Sequence, residues 1–487
     1  MDLYAVPLWL RLSLLFLLPL VLLLAKNKIY GPKQKKRLPP GPPTLPIIGN
    51  MHQLGELPHK TLSQLSKKYG PIMLLKFGSK TIINISSAEA ARQVLKFHDL
   101  DCCSRPVSST AGRLTYNYKD IREIRKICAL ELFSVARVQS FSFIREEEVA
   151  SLVNSISQSA SSATPVDLSE KMLALITANI LCRTAFGKNF RGSGLDNEKL
   201  REVGHEAEVM FASFSATEFF PYVGWIIDRL SGPIRRLEKI FRDLDDFLQQ
   251  TIDLHLSPKK TEQDHEDLID VLLRIERDQR TNTGAPPFNK DNIKAILFDM
   301  FLGGSNTAAV TMLWAMAELA RNPRSMKKAQ DEVRNVVGNR GNVTESDITH
   351  LHYLKMIIKE TFRLHPPAAI LLPRLTMTDV KIGGYDIGPN SLLQFYPERF
   401  VDSSIEYKGQ HFELLPFGSG RRGCPGIYMG ATTVELSLAN LLYCFDWKVP
   451  SGMKEEDINM DESTGAGLTH KRIPLNLVPV KVFLVHS

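Results

Sequence analysis

The sequence has few cysteines, and their spacing excludes two classes of protein. Its 487 residues include six cysteines, with no CxxC pair and no regular interval between them. This pattern argues against a disulfide framework and against a zinc site, and it fits a reducing cytosol. We expect at most one of the six to carry chemistry. They are Cys102, Cys103, Cys128, Cys182, Cys424 and Cys444.

Strong net charge, internal repeats and low-complexity tracts are also absent. The chain is 44% hydrophobic and 23% charged, with a formal net charge of +7. That charge is too small and too scattered to indicate nucleic-acid binding, although it is compatible with an acidic protein partner. The composition excludes disordered, collagen-like and multi-span membrane proteins. Without a second composition shift after about Thr44, the body is predicted to be one domain.

One long apolar run is found, at the N-terminus. Leu8 to Ala25 is almost wholly apolar, and six cations follow it before residue 38. A cleaved signal peptide would place positive charge before the run, so residues 1–25 are interpreted as a transmembrane anchor rather than a buried helix. Basic residues after a first membrane helix hold that flank in the cytosol. Residues 26–43 are predicted to form a basic and proline-rich linker, and residues 44–487 to form the body of the protein.

The body is predicted to be mainly α with small β-sheets. Asp291 to Ala320 has no proline and is apolar around most of its circumference, which predicts a long buried helix that stops at Asn322-Pro323. A second helix is predicted from Ile348 to Leu364, after a capping-box pattern at Thr344. Strands are predicted at 72–77, 81–85 and 380–382.

Residues 417–426, FGSGRRGCPG, surround Cys424 with glycines and will be called the cysteine loop. Glycines let a backbone approach a bulky ligand and leave amide N–H groups free to point at the sulfur. Such hydrogen bonds stabilise a thiolate and tune a metal that it binds. Arg422 adds a fixed positive charge that could lower the thiol pKa or pair with a carboxylate. A turn with an incidental cysteine is the simpler interpretation, and the spacing decides between the two.

The spacing fits the pattern FxxGxRxCxG, the haem-thiolate signature of the cytochrome P450 family. The chain resembles that family, and most closely its plant microsomal group. The resemblance implies a cytochrome P450-type haem fold, with a single catalytic domain behind an N-terminal membrane anchor. It also implies that Cys424 is the metal ligand of haem b. The cofactor-binding residues of the loop are then Phe417, Gly420, Arg422, Cys424 and Gly426.

Two further motifs occur in the order that the family requires. Glu360 and Arg363 fit ExxR and share one helix face, although alone they would be an ordinary surface pair. Arg399 lies in a PERF motif, and in the family this arginine joins the pair as a buried structural triad near the haem. By the same likeness, Arg125 and Arg374 are expected to bind the haem propionates, because a planar guanidinium suits a carboxylate.

The long helix departs from the family pattern where dioxygen would bind. Gly303, Gly304 and Thr307 fit, but Asn306 replaces the usual acid and Ala308 the second hydroxyl residue. A glycine kink in a buried helix is the simpler interpretation. By the resemblance, Thr307 and Asn306 are the catalytic residues that manage water and protons. Because an amide cannot carry a proton at neutral pH, Asn306→Asp is predicted to improve the coupling of NADPH oxidation to product.

Two stretches are shorter than the family pattern. Ile121 stands where the tryptophan of a WxxxR motif belongs, and the phenylalanine-rich loop before it is absent. After Ile387, only Gly388 to Tyr396 replaces a strand, a short helix and a loop, so a core strand is predicted to be missing. The matching sequence resumes cleanly on both sides. Alternative splicing or a mispredicted gene product would explain both gaps.

The resemblance implies a monooxygenase that inserts one oxygen atom of O2 into an apolar small molecule, such as a specialised metabolite. Electrons would come from NADPH through a partner reductase, at the cytosolic face of the endoplasmic reticulum membrane. Two alternatives stay open: a haem-poor relative that catalyses nothing, and a haem-thiolate isomerase that rearranges peroxides. By family analogy, substrate contacts are expected from Ser109–Tyr118, Met210–Val223, Ala368–Leu372 and Thr464–Leu468.

Overall fold

Helices dominate the fold, and small sheets flank them, as the sequence predicts. The computed structural model describes residues 36–106, 108–116, 121–187, 197–213, 215–256, 266–280, 288–395, 406–465 and 467–482. The predicted anchor, most of the predicted linker, and Arg399 lie outside these residues.

The helices follow one another through most of the described chain. Short π-helical turns extend the helical path at Gln93–Phe97, Cys128–Leu132 and Ala174–Leu181. The α-helices are α1 (Pro58–Tyr69), α2 (Ala88–Arg92), α3 (Ser109–Leu114), α4 (Ile121–Ile127), α5 (Val135–Ser140), α6 (Ser142–Ser161), α7 (Leu168–Leu173), α8 (Cys182–Phe186), α9 (Asn197–Ala212), α10 (Ala216–Phe219), α11 (Gly224–Leu230), α12 (Pro233–Leu256), α13 (Leu268–Arg280), α14 (Lys290–Arg321), α15 (Pro323–Val337), α16 (Glu345–Ile348), α17 (His352–Leu364) and α18 (Ile427–Cys444).

The strands of the described chain form four small sheets. The largest has the order β1-β2-β7-β4, a second has the order β3-β11-β8, and two hairpins pair β5 with β6 and β9 with β10. The strands are β1 (Ile72–Phe77), β2 (Lys80–Ile85), β3 (Val166–Asp167), β4 (Arg374–Leu375), β5 (Val380–Ile382), β6 (Tyr385–Ile387), β7 (Leu392–Phe395), β8 (Phe445–Lys448), β9 (Glu462–Gly465), β10 (Leu468–Lys471) and β11 (Asn476–Lys481).

The long helix α14 runs through the centre of the protein. It begins at a reciprocal cap, in which the Asn289 and Asn292 side chains accept each other's backbone N–H groups at 3.1 and 2.8 Å. It ends before Pro323, which begins α15. Apolar residues from its two halves belong to two different core clusters, and Trp314 is fully buried. The Trp314 indole N–H donates to the backbone oxygen of Thr469 in β10 at 2.9 Å.

The single helix predicted from Ile348 to Leu364 is two helices, so that prediction is wrong. The capping box at Thr344 is present, but it caps only the short α16. A separate helix, α17, begins at His352 because the Glu332 carboxylate of α15 accepts the first backbone N–H groups of its amino end. The bonds come from Tyr353 at 2.7 Å and Leu354 at 3.0 Å.

The strand predicted to be missing after Ile387 is present, and this expectation is also corrected. β7 pairs in parallel with β2 and antiparallel with β4, so it bridges both neighbours in the largest sheet. Its four residues are enough to pair the facing backbone groups, and the sheet has no gap between β2 and β4. Sequence analysis missed β7 because so short a segment carries no clear alternation. Residues 396–405, which follow it, lie outside the described chain.

Among the helices of the described residues, α14 alone is long and apolar enough to cross a membrane. Of its most apolar stretch, 67% is buried inside the protein. This burial is typical of a core helix, which agrees with the position of α14 between the two core clusters.

Candidate haem-thiolate site

The cysteine loop folds tightly and leads directly into α18. Phe417 anchors the loop, because its ring packs edge-on against Phe362 of α17 with ring centroids 5.4 Å apart. Gly420 has a φ of +68°, and a Cβ there would lie 2.5 Å from the backbone oxygen of Leu95. Glycine is therefore required at this position. The Cys424 N–H donates to the Phe417 carbonyl at 2.8 Å and closes the loop around the sulfur.

The Cys424 sulfur lies where the backbone can stabilise a thiolate. The Gly426 N–H donates to it, as the glycine content of the loop predicts. Burial raises the pKa of the Cys424 thiol, and the Gly426 N–H and the positive charge of Arg125 oppose that increase. Both opposing interactions favour the thiolate, the form that ligates a metal.

Other cysteines are held as thiols. Burial raises the pKa of Cys102 and Cys128 to about 12 and that of Cys444 to about 11. Thiols with such pKa values are protonated and unreactive near neutral pH. That Cys424 alone carries chemistry stays a prediction.

Four arginines gather beside the cysteine loop. Three of them, Arg125, Arg374 and Arg422, are predicted from the sequence, and Arg105 joins them. Burial and the charges of the other three lower the pKa of Arg105 to about 9. The pKa values of Arg374 and Arg422 are also lowered, chiefly by burial. Neighbouring arginines destabilise one another's positive charge, so an anion bound between them would be stabilising. The two carboxylates of the haem propionates are anions of the required kind.

The predicted arginines also fix the loop in place. Each donates to a backbone carbonyl, and Arg374 in addition pairs with Asp99 at 2.9 Å. The Asp99 carboxylate accepts the backbone N–H of Arg421 at 3.1 Å, so it joins β4 to the loop. The carbonyl contacts are Arg125 with Gly423, Arg422 with Cys103 at 2.6 Å, and Arg374 with Ser419 at 2.7 Å.

Gly303 and Thr307 lie on one face of α14, and open space lies in front of that face. A Cβ built on Gly303 would meet nothing within 4 Å. The Thr307 hydroxyl donates to the Gly303 carbonyl at 2.8 Å, and the helix is continuous here. Residues 303–307 will be called the α14 notch. Asp299, one turn earlier, borders the same space, and separation from bulk solvent raises its pKa to about 6.

Arg125 connects the notch face with the cysteine loop. Its positive charge lowers the pKa of both the Asp299 carboxyl and the Cys424 thiol, and its side chain bonds Gly423. Arg125 therefore acts on both the notch face and the cysteine loop. A thiolate donor, a cationic cluster and an open helix face together fit a haem, with Cys424 as ligand and Arg105, Arg125, Arg374 and Arg422 near its carboxylates.

Asn306 lies next to Thr307 on α14, but its amide is engaged elsewhere. It donates to the carboxyl group of Glu208 in α9. The Ser305 hydroxyl donates to the other oxygen of the same carboxyl group at 2.5 Å. The two predicted catalytic residues are thus neighbours with different partners. Sequence analysis missed Glu208, which belongs to no motif and lies far from the notch in the chain.

The ExxR residues form the predicted pair. Arg363 donates to Glu360 through two nitrogens, at 2.7 and 2.5 Å. The pair is not buried as expected, because the Glu360 side chain is 54% exposed. The triad with Arg399 stays a prediction, since the PERF motif lies outside the described residues.

The segments predicted to contact substrate are brought together in two pairs. The Ser109 N–H of α3 donates to the Glu218 carboxylate of α10 at 3.1 Å. The Thr469 N–H of β10 donates to the Pro367 carbonyl at 2.9 Å, which places the β9–β10 hairpin beside residues 368–372. Contact with a substrate stays a prediction for all four segments.

Comparisons with known proteins agree with these features. The cytochrome P450 family model matches residues 39–394 and 393–477. Cytochrome P450 71B9 of Arabidopsis thaliana is 52% identical over 467 positions, covering 90% of this chain and 92% of the relative. Cytochrome P450 71B36 of the same plant is 49% identical over 497 positions, covering 96% of this chain and 98% of the relative.

Among solved structures, a zebra fish cytochrome P450 determined with abiraterone has a similar fold. Its TM-score is 0.72 at 21% identity, over 88% of this chain and 100% of that chain. At this identity the likeness concerns the fold alone.

The comparisons also bear on the missing segments. The alignment with cytochrome P450 71B36 spans 497 positions, more than the 487 residues of this chain, so the relative contains residues without a counterpart here. The family match is divided at residues 393–394, within β7. With most of both lengths aligned at about half identity and the family model matching nearly all of the body, the chain belongs to the cytochrome P450 family of haem-dependent monooxygenases.

Proposed function

We propose that this protein inserts one oxygen atom of O2 into an apolar small molecule, using electrons that a membrane-bound reductase draws from NADPH. The observation that carries the proposal is the sulfur of Cys424, which accepts the Gly426 N–H and feels the same Arg125 charge that acts on Asp299 at the notch face. When bound, haem would supply the iron at which dioxygen is activated.

The chain's own residues would divide the remaining work. Cys424 ligates the iron, the arginine cluster holds the propionates, and Thr307 and Asn306 orient water and protons at the notch. The apolar character of the substrate is supported by the predicted contact segments, which are poor in charge. Asp299 adds a carboxyl group at the edge of this space.

Attachment to the endoplasmic reticulum membrane is supported by a second apolar surface, in addition to the predicted anchor at residues 1–25. Tyr222 is 90% exposed and Leu230 of α11 is 82% exposed, beside the exposed Trp225. The exposed Ile47 lies close to them, because its neighbour Ile48 and the α10 segment both bond the turn at residues 78–79. Such a surface suits lipid contact.

Docking of the reductase is assigned to the face that carries the cysteine loop. Exposed cations lie beside the loop, where they would attract an acidic partner and steer it towards the shortest electron path. Arg421 follows Gly420 in the loop, Lys126 follows Arg125, and Lys408 precedes Gly409, whose carbonyl accepts the Ser419 hydroxyl.

The decisive experiment is the reduced, carbon monoxide-bound absorption spectrum of the purified chain. The wild type is expected to show the thiolate-type band, and Cys424→Ser to lose it while weak haem association persists. Cys103→Ser is the matched control. The Cys103 thiol donates to the Leu100 carbonyl at 3.3 Å, and a serine hydroxyl can make the same hydrogen bond. An unchanged band in Cys424→Ser would end the proposal.

Membrane attachment has a separate test. Deletion of residues 1–25, with the prolines at 39–43 retained, is expected to release most of the protein from microsomes without changing absorption. Replacing Trp225 and Leu230 with serine in the truncated chain is expected to remove the residual binding. Full solubility of the intact chain would contradict the assignment.

A second candidate is a haem-poor relative, and the divided family match favours it. The match breaks within β7 rather than at Ile387, so a family-typical segment is inserted after Leu393. This position keeps the pairing of β7 with β4, although it separates Gln394 and Phe395 from their present partners in β2. Haem per polypeptide should be low in the natural chain and should rise on that insertion more than on repair of the stretch before Arg122. Full occupancy of the natural chain would exclude this candidate.

A further inference from the structure

We propose that Glu208 of α9 supplies the carboxyl group that α14 lacks at Asn306, and that it holds the protons used when dioxygen is reduced at the notch. The inference rests on the proposed monooxygenase function and adds a residue to it. The carboxyl group is brought to the notch by a different helix.

The Glu208 carboxyl group is buried and bonded on both oxygens. The residue is 4% exposed, and its oxygens accept from the Ser305 hydroxyl at 2.5 Å and from the Asn306 amide. Asn306 can donate to a carboxyl group but cannot itself carry a proton. Of the three bonded groups, Glu208 is therefore the one that can bind and release a proton, and Ser305 and Asn306 position it. Asp299 is a separate carboxyl group one turn before Gly303.

The packing of α9 on α14 is built for this contact. Gly204 lies one turn before Glu208, and Phe301 lies one turn before Ser305. A Cβ at Gly204 would lie 2.2 Å from the Phe301 ring, so glycine is what allows the two helices to approach. The matched one-turn spacing then sets Glu208 over Ser305 and Asn306.

The surroundings of Glu208 let it keep a proton. Burial raises its pKa, and the hydrogen bonds from Ser305 and Asn306 and the charge of His205 oppose the increase. His205 is exposed on the same helix and is the titratable group whose charge acts on this carboxyl. It therefore offers a route by which solvent can return a proton to Glu208.

The proton balance of the reaction requires such a group. Inserting one oxygen atom into a C–H bond and reducing the other to water consumes two electrons and two protons. The electrons come from NADPH through the reductase. Each proton would leave a Glu208 oxygen towards the notch, and solvent would replace it through His205.

The test compares the wild type with Glu208→Gln, Asn306→Asp and the double variant Glu208→Gln/Asn306→Asp. Each is prepared with haem and reductase. The double variant exchanges the carboxyl group and the amide between positions 208 and 306. A hydrogen bond between an amide and a carboxyl group is retained, but the carboxyl group now lies on α14. Glu202→Gln, an exposed position on the same helix, is the matched control.

Product formed per NADPH consumed is expected to fall by roughly 10²-fold in Glu208→Gln, the lower end of what a positioned acid contributes, with hydrogen peroxide as the alternative product. The double variant is expected to recover most of the loss, and Glu202→Gln to match the wild type. Asn306→Asp alone is expected to give no gain, in contrast to the prediction from the sequence, because Glu208 already supplies a carboxyl group. A gain in that variant, or wild-type coupling in Glu208→Gln, would overturn the proposal.

A second readout does not depend on turnover. The infrared difference spectrum of wild type minus Glu208→Gln is expected to contain a protonated-carboxyl band that titrates with pH, and a corresponding band is expected to return in the double variant. The contribution of Asp299 is common to all variants and cancels in the difference. A merely structural Glu208 would not give this pattern. The two proposals fail in different ways. If the thiolate-type carbon monoxide band is present in the wild type and in Glu208→Gln but the infrared test fails, this inference alone is contradicted. If the wild type lacks the carbon monoxide band, the proposed function itself is contradicted.

Discussion

The cysteine loop and the α14 notch are linked through Arg125 but are built in different ways. The loop takes its anchor, its close approach and its sulfur from ten consecutive residues, with Phe417, Gly420 and Cys424 in fixed roles. The notch takes its acid from α9, through Glu208. Chemistry encoded in one contiguous segment can be recognised as a motif, whereas chemistry shared between helices depends on how those helices pack.

The sharpest test of the loop's local character is Gly420→Ala. The new Cβ would lie 2.5 Å from the Leu95 oxygen and 2.7 Å from the Asp99 carboxylate, at a positive φ. We expect a loss of about 4 kcal/mol in stability and nearly complete loss of bound haem, measured by urea unfolding and haem content. Gly338→Ala, also at positive φ but with open space around it, should keep its haem. Haem retention in Gly420→Ala would show that the loop tolerates displacement.

The next largest effect is expected from Asp99→Asn, which tests whether the loop also depends on contacts outside its own sequence. Arg374 is almost fully buried, so removing its carboxylate partner should cost about 3 kcal/mol. Urea unfolding would measure the loss. Asp331→Asn, which breaks an exposed pair with Lys327, should cost at most about 0.5 kcal/mol. Equal small losses would mean that the loop is independent of β4.

Gly204→Ala tests the notch without touching the loop. A methyl group against Phe301 should separate α9 from α14 and cost about 1–3 kcal/mol. The protonated-carboxyl infrared band of Glu208 should shift or weaken, while the thiolate-type carbon monoxide band stays. If the carbon monoxide band changes together with the infrared band, the α14 notch and the cysteine loop are structurally coupled.

The smallest effect concerns pH and stability at the notch. The folded protein raises the pKa of Glu208, so the native state binds a proton more strongly than the unfolded chain does. Stability should therefore fall as pH rises from the unfolded pKa through the folded one. Glu208→Gln should flatten this fall and be more stable than the wild type above that window, with little difference below it. Thermal unfolding between pH 4 and pH 8 would measure the difference, and a wild-type slope in Glu208→Gln would contradict the assignment.

Much of the fold could be predicted where the signal is local. The apolar circumference of α14 and the Pro323 stop predict that helix to within one residue at each end. The break between α16 and α17 could not be predicted, because its cause is Glu332 on another helix. β7 was missed for a related reason, since a four-residue strand is recognisable only by its partners β2 and β4.

The residues of the site also fall into two groups, those that a local motif identifies and those that only the packing identifies. The five cysteine-loop residues follow from their spacing, and the structure brings them together with Arg125 and Arg374. Arg105 has no motif around it, and only its burial among other arginines identifies it. Glu208 is likewise invisible in the sequence, because its importance comes from the approach that Gly204 permits.

The bond from Trp314 to Thr469 has an evolutionary consequence. It ties β10 to the helix that carries the notch, and the Thr469 N–H ties the same strand to Pro367. The neighbouring Gly467 and Leu468 take no part in either bond. Under the proposed function, mutations there can accumulate and diversify the compounds accepted by descendant enzymes, while the inherited oxygen chemistry is left intact.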